Sequence, residues 1–176
     1  MSNDKAVTVL LVDDETNILN SLRRVLRKEP WLIITAESGE QALEAVQNQD
    51  IDLVISDARM PGMDGATLLA EIQKRQPECI RILLTGYADI STTVRAINEG
   101  RIYRYISKPW DDSELLLTLR QGLALRFSEQ ERKRLEKLTQ SQNAELVELN
   151  ETLESKVRSR TAELEQTADM LDLAYS

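Results

Sequence analysis

The alternation of five short apolar runs with helical patterns constrains the fold of this chain more than any other feature of its sequence. Most of the runs are rich in β-branched or aromatic residues, and several lack polar alternation, which is typical of strands covered on both faces. They lie at residues 7–12, 32–36, 53–56, 80–84 and 103–106. Strands that alternate with helices through such short connections form a parallel sheet with right-handed crossovers.

The segments between the runs carry apolar residues at helical spacing, as expected for helices that cover a sheet. These apolar stripes are Ile18, Leu22, Val25 and Leu26; Ala42, Leu43 and Val46; Leu68, Leu69 and Ile72; and Val94 and Ile97. A further helix begins after Asp111, which with Glu114 matches the spacing of a capping pair. We therefore predict an α/β, flavodoxin-like (βα)5 doubly wound sheet of strand order 2-1-3-4-5, with its ligand site at the carboxyl ends of the strands.

Polar side chains stand at the ends of four of the five predicted strands. Asp13 and Asp14 follow the first strand, Asp57 the third, Thr85 the fourth and Lys108 the fifth. Carboxylates that converge in one pocket need a cation, and Mg²⁺ combines carboxylate ligands with waters and a phosphate oxygen. Because a lysine and a hydroxyl suit a phosphoryl group, the pattern indicates a carboxylate that attacks phosphorus.

Each of these signals has a simpler explanation when it is taken singly. An Asp-Asp pair after a strand is more often a helix N-cap or a solvated turn, and a Lys-Pro pair is commonly part of a loop. The required groups coincide at four strand ends, however, and are missing only from the second strand, which is expected at the sheet edge. This coincidence favours a functional site.

Composition excludes several classes of function. The chain has no histidine and a single cysteine, Cys79, which excludes Ser-His or Cys-His catalysis, phosphohistidine chemistry and a thiolate zinc site. The net charge of −8 argues against nucleic acid as a partner, and the basic run at 131–137 is interleaved with acids as on a solvated helix face. No apolar run is long enough to span a bilayer, and the first residues are too polar for a signal peptide. We therefore expect a cytoplasmic protein that does not contact membranes.

The strand-end motifs, taken in order, resemble those of the receiver domain of two-component response regulators. They are LLVDD at 10–14, ISDARMPGMDG at 55–65, LLTGYAD at 83–89 and YISKPW at 105–110. The resemblance implies that Asp57 is the phosphoacceptor in a Mg²⁺-dependent reaction, and that the partner is a histidine kinase or a phosphotransfer protein. It also implies contacts to the phosphoryl oxygens from Thr85 and Lys108. The implied metal ligands are Asp13, Asp14, Asp57 and the backbone carbonyl of Arg59.

The resemblance also leads to expectations for Tyr105 and Pro109. Tyr105 matches the switch aromatic, which moves inward when Thr85 moves, and Pro109 matches a position that commonly follows a cis peptide bond. The stretch from Gly100 to Lys108 departs from the family pattern, since it is one residue longer and has Arg101 in place of alanine.

The last third of the chain predicts one long helix, because it contains neither glycine nor proline after Gly122. A stripe with steps of three or four residues continues there, in which Gln142 and Thr161 fill two positions and the others are apolar or small: Leu135, Leu138, Leu146, Leu149, Leu153, Val157, Leu164, Ala168, Leu171 and Tyr175. Because so narrow a stripe cannot form a core alone, we predict a receiver domain at 1–125 and a dimeric, parallel coiled coil at 126–176. The alternatives are a solitary helix or one folded back on the receiver, and an antiparallel pair also fits the stripe.

The segment 150–165 resembles signalling helices that join receivers to output domains, and the pattern stops at Ser176 without a helix-ending residue. We therefore expect an output module that these residues do not include. The resemblance is to regulators that carry an HD-GYP-type phosphodiesterase and, less closely, to AAA+ transcription activators.

The resulting hypothesis is a phosphorylation-controlled switch. Phosphorylation of Asp57 biases the face formed by the fourth helix, the fifth strand and the fifth helix, and a dimeric signalling helix relays the change. The domain would be a phosphoacceptor and no enzyme beyond its own phosphorylation and dephosphorylation. One alternative is a structural dimerisation module with an inert receiver-like cap. The other is a phosphatase of the haloacid dehalogenase type, which expects an acid where Arg59 stands.

Overall fold

The computed structural model describes residues 5–86, 90–98 and 102–176. Its sheet has five parallel strands in the order β2-β1-β3-β4-β5, which confirms the predicted doubly wound topology. The strands are β1 (Thr8–Val12), β2 (Leu32–Ala36), β3 (Leu53–Asp57), β4 (Ile80–Thr85) and β5 (Arg104–Ser107). β1, β3 and the second half of β4 are buried, as their continuous apolar runs predict.

Helices cover both faces of this sheet. They are α1 (Thr16–Leu26), α2 (Gly39–Asn48), α3 (Gly65–Arg75), α4 (Ile90–Asn98) and α5 (Asp112–Tyr175). One core cluster joins α1 and the first part of α5 to the sheet, and the other joins α2, α3 and α4 to its opposite face. The strand ends are thereby held between two packed layers.

Side chains at the helix starts satisfy backbone N–H groups that lack a partner within the helix. The hydroxyl of Ser38 accepts from the Gln41 N–H at 3.2 Å, and the carboxylate of Asp64 accepts from Thr67 at 2.7 Å. The Asp111 carboxylate accepts from the Glu114 N–H at 2.9 Å, as expected for the start of α5.

The buried face of α4 differs from the prediction. Val94 and Ile97 are 49% and 44% exposed, whereas Thr93 and Ala96 are buried. The prediction was wrong here because the residues that face the core are small and carry little apolar signal, while the larger pair lines a surface cavity. The end of this helix at Gly100, and the insertion that includes Arg101, lie outside the described residues.

α5 is one continuous helix and does not end after Gly122, as the absence of further glycine and proline predicts. The chain divides into two compact units, one up to Ser128 and one from Glu129 to Ser176. In the second unit every residue from 131 onward is exposed, including Leu146, Leu149 and Leu153, which are 56%, 53% and 49% exposed. Within the described parts of the chain, no helix combines the length and the apolar character needed to cross a membrane.

Candidate functional site

The parallel strands end side by side, and this places the predicted polar residues at one edge of the sheet. Asp57 is the last residue of β3 and Thr85 the last of β4. In register, Val12 pairs with Ser56, and Thr85 pairs with Ser107, so Asp13 and Lys108 each follow directly after a paired position. The backbone N–H of Lys108 donates to the Thr85 carbonyl at 2.7 Å and continues this pairing beyond β5.

Three carboxylates form the centre of the site. One ligand oxygen each from Asp13, Asp14 and Asp57 can be chosen such that all lie within 4.8 Å of one another. Asp13 is fully buried and Asp57 is 7% exposed, whereas Asp14 is exposed. The Asp13 carboxylate also accepts from the backbone N–H of Glu15 at 2.9 Å, which fixes its orientation. The cluster is therefore buried on one side and open to solvent on the other.

Lys108 supplies the positive charge of the site. Its Nζ lies 2.7 Å from Oδ1 of Asp57 and 2.9 Å from Oδ2 of Asp13. Burial by itself lowers the pKa of Lys108, but the hydrogen bonds and negative charges of Asp57 and Asp13 outweigh burial and raise it. The lysine is thus held in its charged form between two carboxylates.

The pKa of Asp57 is shifted in the direction that disfavours its charge. Burial raises the pKa of this carboxyl above its usual value, and the negative charges of Asp13 and Asp14 add to the effect. The hydrogen bond and charge of Lys108 act in the opposite direction without cancelling it. Lys108 alone therefore does not fully stabilise the ionised carboxylate of Asp57, and a bound cation would supply the additional positive charge.

Tyr105 and Thr85 border the same small cavity beside the site. Tyr105 lies on the edge strand β5 and is 48% exposed, while Thr85 is buried. The cavity has a volume of about 270 Å³ and is also lined by Val94 and Ile97 of α4. The peptide bond between Lys108 and Pro109 is cis, as the family resemblance led us to expect.

Sequence reasoning missed one residue that shapes the site, the glycine at the start of α3. A Cβ on Gly65 would lie 2.0 Å from the backbone carbonyl oxygen of Asp57, and the Gly65 N–H donates to Ala58 at 3.0 Å. Only glycine permits so close an approach of two backbones. The motif at 55–65 contains this glycine, but its spacing alone does not reveal the contact.

A doubly wound (βα)5 sheet with an acidic pocket at its strand ends defines the class of receiver-type signalling domains. The chain belongs to the response regulator receiver domain family, whose pattern matches residues 9–120. Receiver domains accept phosphoryl groups on an aspartate as signalling modules, and they bind Mg²⁺ at an acidic pocket.

Two relatives of this chain are described as transcriptional regulatory proteins. Hydrogenase transcriptional regulatory protein HoxA of Cupriavidus necator is 40% identical over 121 residues, which cover 69% of this chain and 25% of that protein. Transcriptional regulatory protein GlrR of Escherichia coli is 41% identical over 111 residues, covering 63% of this chain and 25% of that protein. The chain thus spans about a quarter of the length of these relatives.

Solved structures give the same family. The signal receiver domain of an HD domain-containing protein from Pseudomonas fluorescens Pf-5 is 48% identical, with a TM-score of 0.71 over 75% of this chain and 97% of that one. NtrX from Brucella abortus is 32% identical, with a TM-score of 0.69 over 74% of this chain and 30% of that one.

Proposed function

We propose that this chain is the receiver part of a two-component response regulator and that Asp57 is its phosphoacceptor. The observation that carries the proposal is the placement of Asp57, which ends β3 next to two further carboxylates and 2.7 Å from a charged lysine. A histidine kinase, a phosphotransfer protein or a small phosphodonor would supply the phosphoryl group. An oxygen of Asp57 forms a bond to phosphorus while the bond from phosphorus to the donor breaks, and the donor leaves with the electron pair.

The residues present fit a magnesium ion. Hard divalent cations take oxygen ligands, and the side chains of Asp13, Asp14 and Asp57 offer a set of mutually close carboxylate oxygens. The backbone carbonyl of Arg59 completes the proposed ligand set, since it belongs to the loop directly after the acceptor. Bound Mg²⁺ supplies positive charge that stabilises the transferring phosphoryl oxygens.

Lys108 and Thr85 have proposed roles once the phosphoryl group is attached. Lys108 exchanges its contact with the Asp57 carboxylate for one with a phosphoryl oxygen, because its flexible side chain already lies within hydrogen-bond distance of the acceptor. The Thr85 hydroxyl turns to donate to another phosphoryl oxygen. The cavity of about 270 Å³ between Thr85 and Tyr105 supports an inward movement of Tyr105 that couples the site to the α4-β5-α5 face.

The helix after the receiver is the proposed relay. We assign residues 1–125 to the receiver and 126–176 to a parallel, homodimeric coiled coil. The apolar stripe along this segment supports pairing with a second copy, since its leucines are about half exposed in the single chain. A second copy supplies the same stripe in the same register. We further propose a cytoplasmic location, no contact of this segment with nucleic acid, and a following output module. The 48% identity to the receiver of an HD domain-containing protein favours an HD-GYP-type phosphodiesterase as that module.

The inert structural module is the main alternative, and the haloacid-dehalogenase-type phosphatase is the weaker one. The three carboxylates and the lysine assembled around Asp57 favour an active phosphoacceptor over an inert cap. Arg59 occupies the position at which the phosphatase mechanism expects its second acid.

Labelling with acetyl phosphate and Mg²⁺ tests the acceptor. We expect the wild-type chain to gain one phosphoryl group, detected as a mass increase, and Asp57→Asn to gain none. Asp50→Asn is the matched control, because Asp50 is an exposed acid paired with Lys5 away from the site, and it should label like the wild type. Equal labelling of wild type and Asp57→Asn would overturn the assignment.

Sedimentation with and without beryllofluoride and Mg²⁺ tests the relay. We expect a dimer whose dissociation constant changes when the phosphoryl mimic binds. A dimer that does not respond to the mimic would favour the inert structural module, and steady turnover of a generic phosphomonoester would favour the phosphatase.

A further inference from the structure

A buried ion pair lies at the opposite end of the sheet from the phosphoacceptor. Both Nε and Nη2 of Arg126 lie 3.0 Å from Oδ1 of Asp52. The two side chains are only 10% and 13% exposed. Arg126 is the first residue of the proposed coiled-coil segment and lies on α5, two residues before the first compact unit ends at Ser128, and Asp52 directly precedes β3. The pair therefore joins the start of the proposed coiled-coil segment to the sheet.

The remaining polar groups of Asp52, which directly precedes β3, bind the two neighbouring strands β1 and β4. Its second carboxylate oxygen accepts from the N–H of Thr8, the first residue of β1, at 2.8 Å. Its backbone N–H donates to the Thr8 carbonyl at 2.9 Å, and its own carbonyl accepts from Ile80, the first residue of β4, at 3.0 Å. One aspartate thus ties the start of β1, β3 and β4 to α5.

These are the strands that carry the phosphoacceptor site at their other ends. Asp13 follows β1, Asp57 ends β3 and Thr85 ends β4. Each strand is short and fully or largely buried in a close-packed core. A displacement of its carboxyl end therefore also displaces its amino end. Asp52 is therefore placed where changes at all three site residues converge.

We propose that the Asp52–Arg126 pair is the joint through which the receiver controls the helix that follows it. The inference rests on the proposed function, and it deepens that function by naming the positioning residues for its regulation. Arg126 does not touch the phosphoryl pocket, so its role is to hold the exit of α5 against the strands that end at Asp57. Without the pair, phosphorylation still occurs but no longer reaches the segment after Ser128.

A second arginine–carboxylate pair on the same helix provides a matched control. Arg120 lies 2.5 Å from Glu29, but the arginine side chain is 56% exposed, and its partner belongs to the loop after α1 and to no strand. Although the Glu29 side chain is only 11% exposed, the exposed arginine leaves the pair weakly stabilising and screened by salt. Removing Arg120 deletes an arginine–carboxylate pair from α5 while leaving Asp52, which binds the strand starts, paired with Arg126.

The test compares Arg126→Met with Arg120→Met in the full chain. The first readout is acetyl phosphate labelling of Asp57, and the second is the dimer dissociation constant with and without beryllofluoride and Mg²⁺. In the wild type and Arg120→Met, we expect the mimic to change this constant about tenfold. In Arg126→Met, we expect labelling within about twofold of the wild type and a change in the constant of less than about twofold.

The double variant Asp52→Asn/Arg126→Met guards against loss of folding, because it leaves no buried charge unpaired. It should behave like Arg126→Met in both readouts. If either variant labels normally and its dimer dissociation constant still responds fully to beryllofluoride, the proposed role of the Asp52–Arg126 pair is wrong, while the proposed function stands. If the wild type labels but its dimer does not respond, both the joint and the relay fail. If the wild type does not label at Asp57, the proposed function itself fails.

Discussion

Lys108 Nζ lies 2.7 Å from Oδ1 of Asp57, although 51 positions separate the two residues in the chain, and Asp57 ends β3 while Lys108 follows β5. The contact joins the end of β3 to the loop after β5, across the end of β4. It places a positive charge where the proposed reaction adds negative charge to the acceptor. Because both side chains of this pair are largely buried, the stability of the domain should depend on pH and on Mg²⁺.

Replacing Asp57 with asparagine should stabilise the domain at pH 7 in the absence of Mg²⁺. Burial raises the pKa of the Asp57 carboxyl above its ordinary value of 3.8, so the folded state binds this proton more tightly than the unfolded state does. The contribution of Asp57 to stability is therefore fully present below pH 3.8 and is lost as the pH rises through the folded-state pKa. Urea unfolding between pH 3 and pH 8 should show an advantage for Asp57→Asn that grows with pH.

Asp50→Asn provides a control of opposite sign. The hydrogen bond and charge of Lys5 lower the pKa of Asp50, so its ionised form is favoured by folding. This variant should be slightly less stable than the wild type at neutral pH, and the difference should vanish as the pH falls through the lowered pKa. An advantage for Asp57→Asn that is the same at every pH would contradict the explanation by burial.

Replacing Lys108 with methionine should destabilise the folded domain by about 2 kcal/mol in the absence of Mg²⁺, because it leaves two buried carboxylates without their counter-charge. The estimate is below the roughly 3–5 kcal/mol measured for fully buried pairs, since the Lys108 side chain is 21% exposed. Added Mg²⁺ should recover much of this loss by binding the folded state. Lys74→Met, which removes an exposed pair with Glu71, should change the free energy of unfolding by less than about 0.5 kcal/mol. A Lys108→Met protein that is as stable as the wild type without Mg²⁺ would contradict this account.

Replacing Gly65 with alanine should cost about 3 kcal/mol and slow labelling of Asp57, because the added Cβ would lie 2.0 Å from a backbone oxygen of the acceptor residue. Gly39→Ala is the comparison away from the acceptor residue. The three atoms nearest to its Cβ, from 2.8 Å, all belong to the Met63 side chain, which has to shift, whereas the atom nearest to a Cβ on Gly65 is a backbone oxygen of Asp57. Thermal unfolding and acetyl phosphate labelling check both variants. The outcome that speaks against the close approach is an equal effect of the two substitutions.

Most of the fold could be predicted from the sequence because its signals are periodic and local. The strand boundaries differ from the predicted ones by at most one residue, since buried parallel strands appear as uninterrupted apolar runs. The N-cap at Asp111 has a short, specific signature in the acid three residues later. The burial of Thr93 and Ala96 instead of Val94 and Ile97 could not be predicted, because small residues on a helix face resemble a polar face.

The site was accessible to sequence reasoning for a different reason. Parallel strands bring all their carboxyl ends to one edge, so residues distant in the chain, such as Asp13 and Lys108, are neighbours by topology alone. No comparable rule predicts the approach of Gly65 to Asp57 or the pairing of Asp52 with Arg126. They depend on how individual side chains and loops pack, and no periodicity or strand-end position encodes them.

Replacing Leu153 with asparagine should weaken the proposed dimer and leave the receiver unchanged. Leu153 lies on the apolar stripe of α5 and is 49% exposed in the single chain, so a partner helix would bury it. The loss of this apolar contact should cost roughly 3 kcal/mol, which corresponds to about a hundredfold increase in the dissociation constant of the dimer. Sedimentation equilibrium measures this constant directly.

Ser155→Asn changes an exposed position two residues away from Leu153 and should leave the dissociation constant of the dimer unchanged. Acetyl phosphate should label Asp57 equally in both variants, because the carboxylates and the lysine proposed to bind the phosphoryl group all belong to the first compact unit. If Leu153→Asn and Ser155→Asn dimerise equally well, the stripe is not the surface that pairs the two chains.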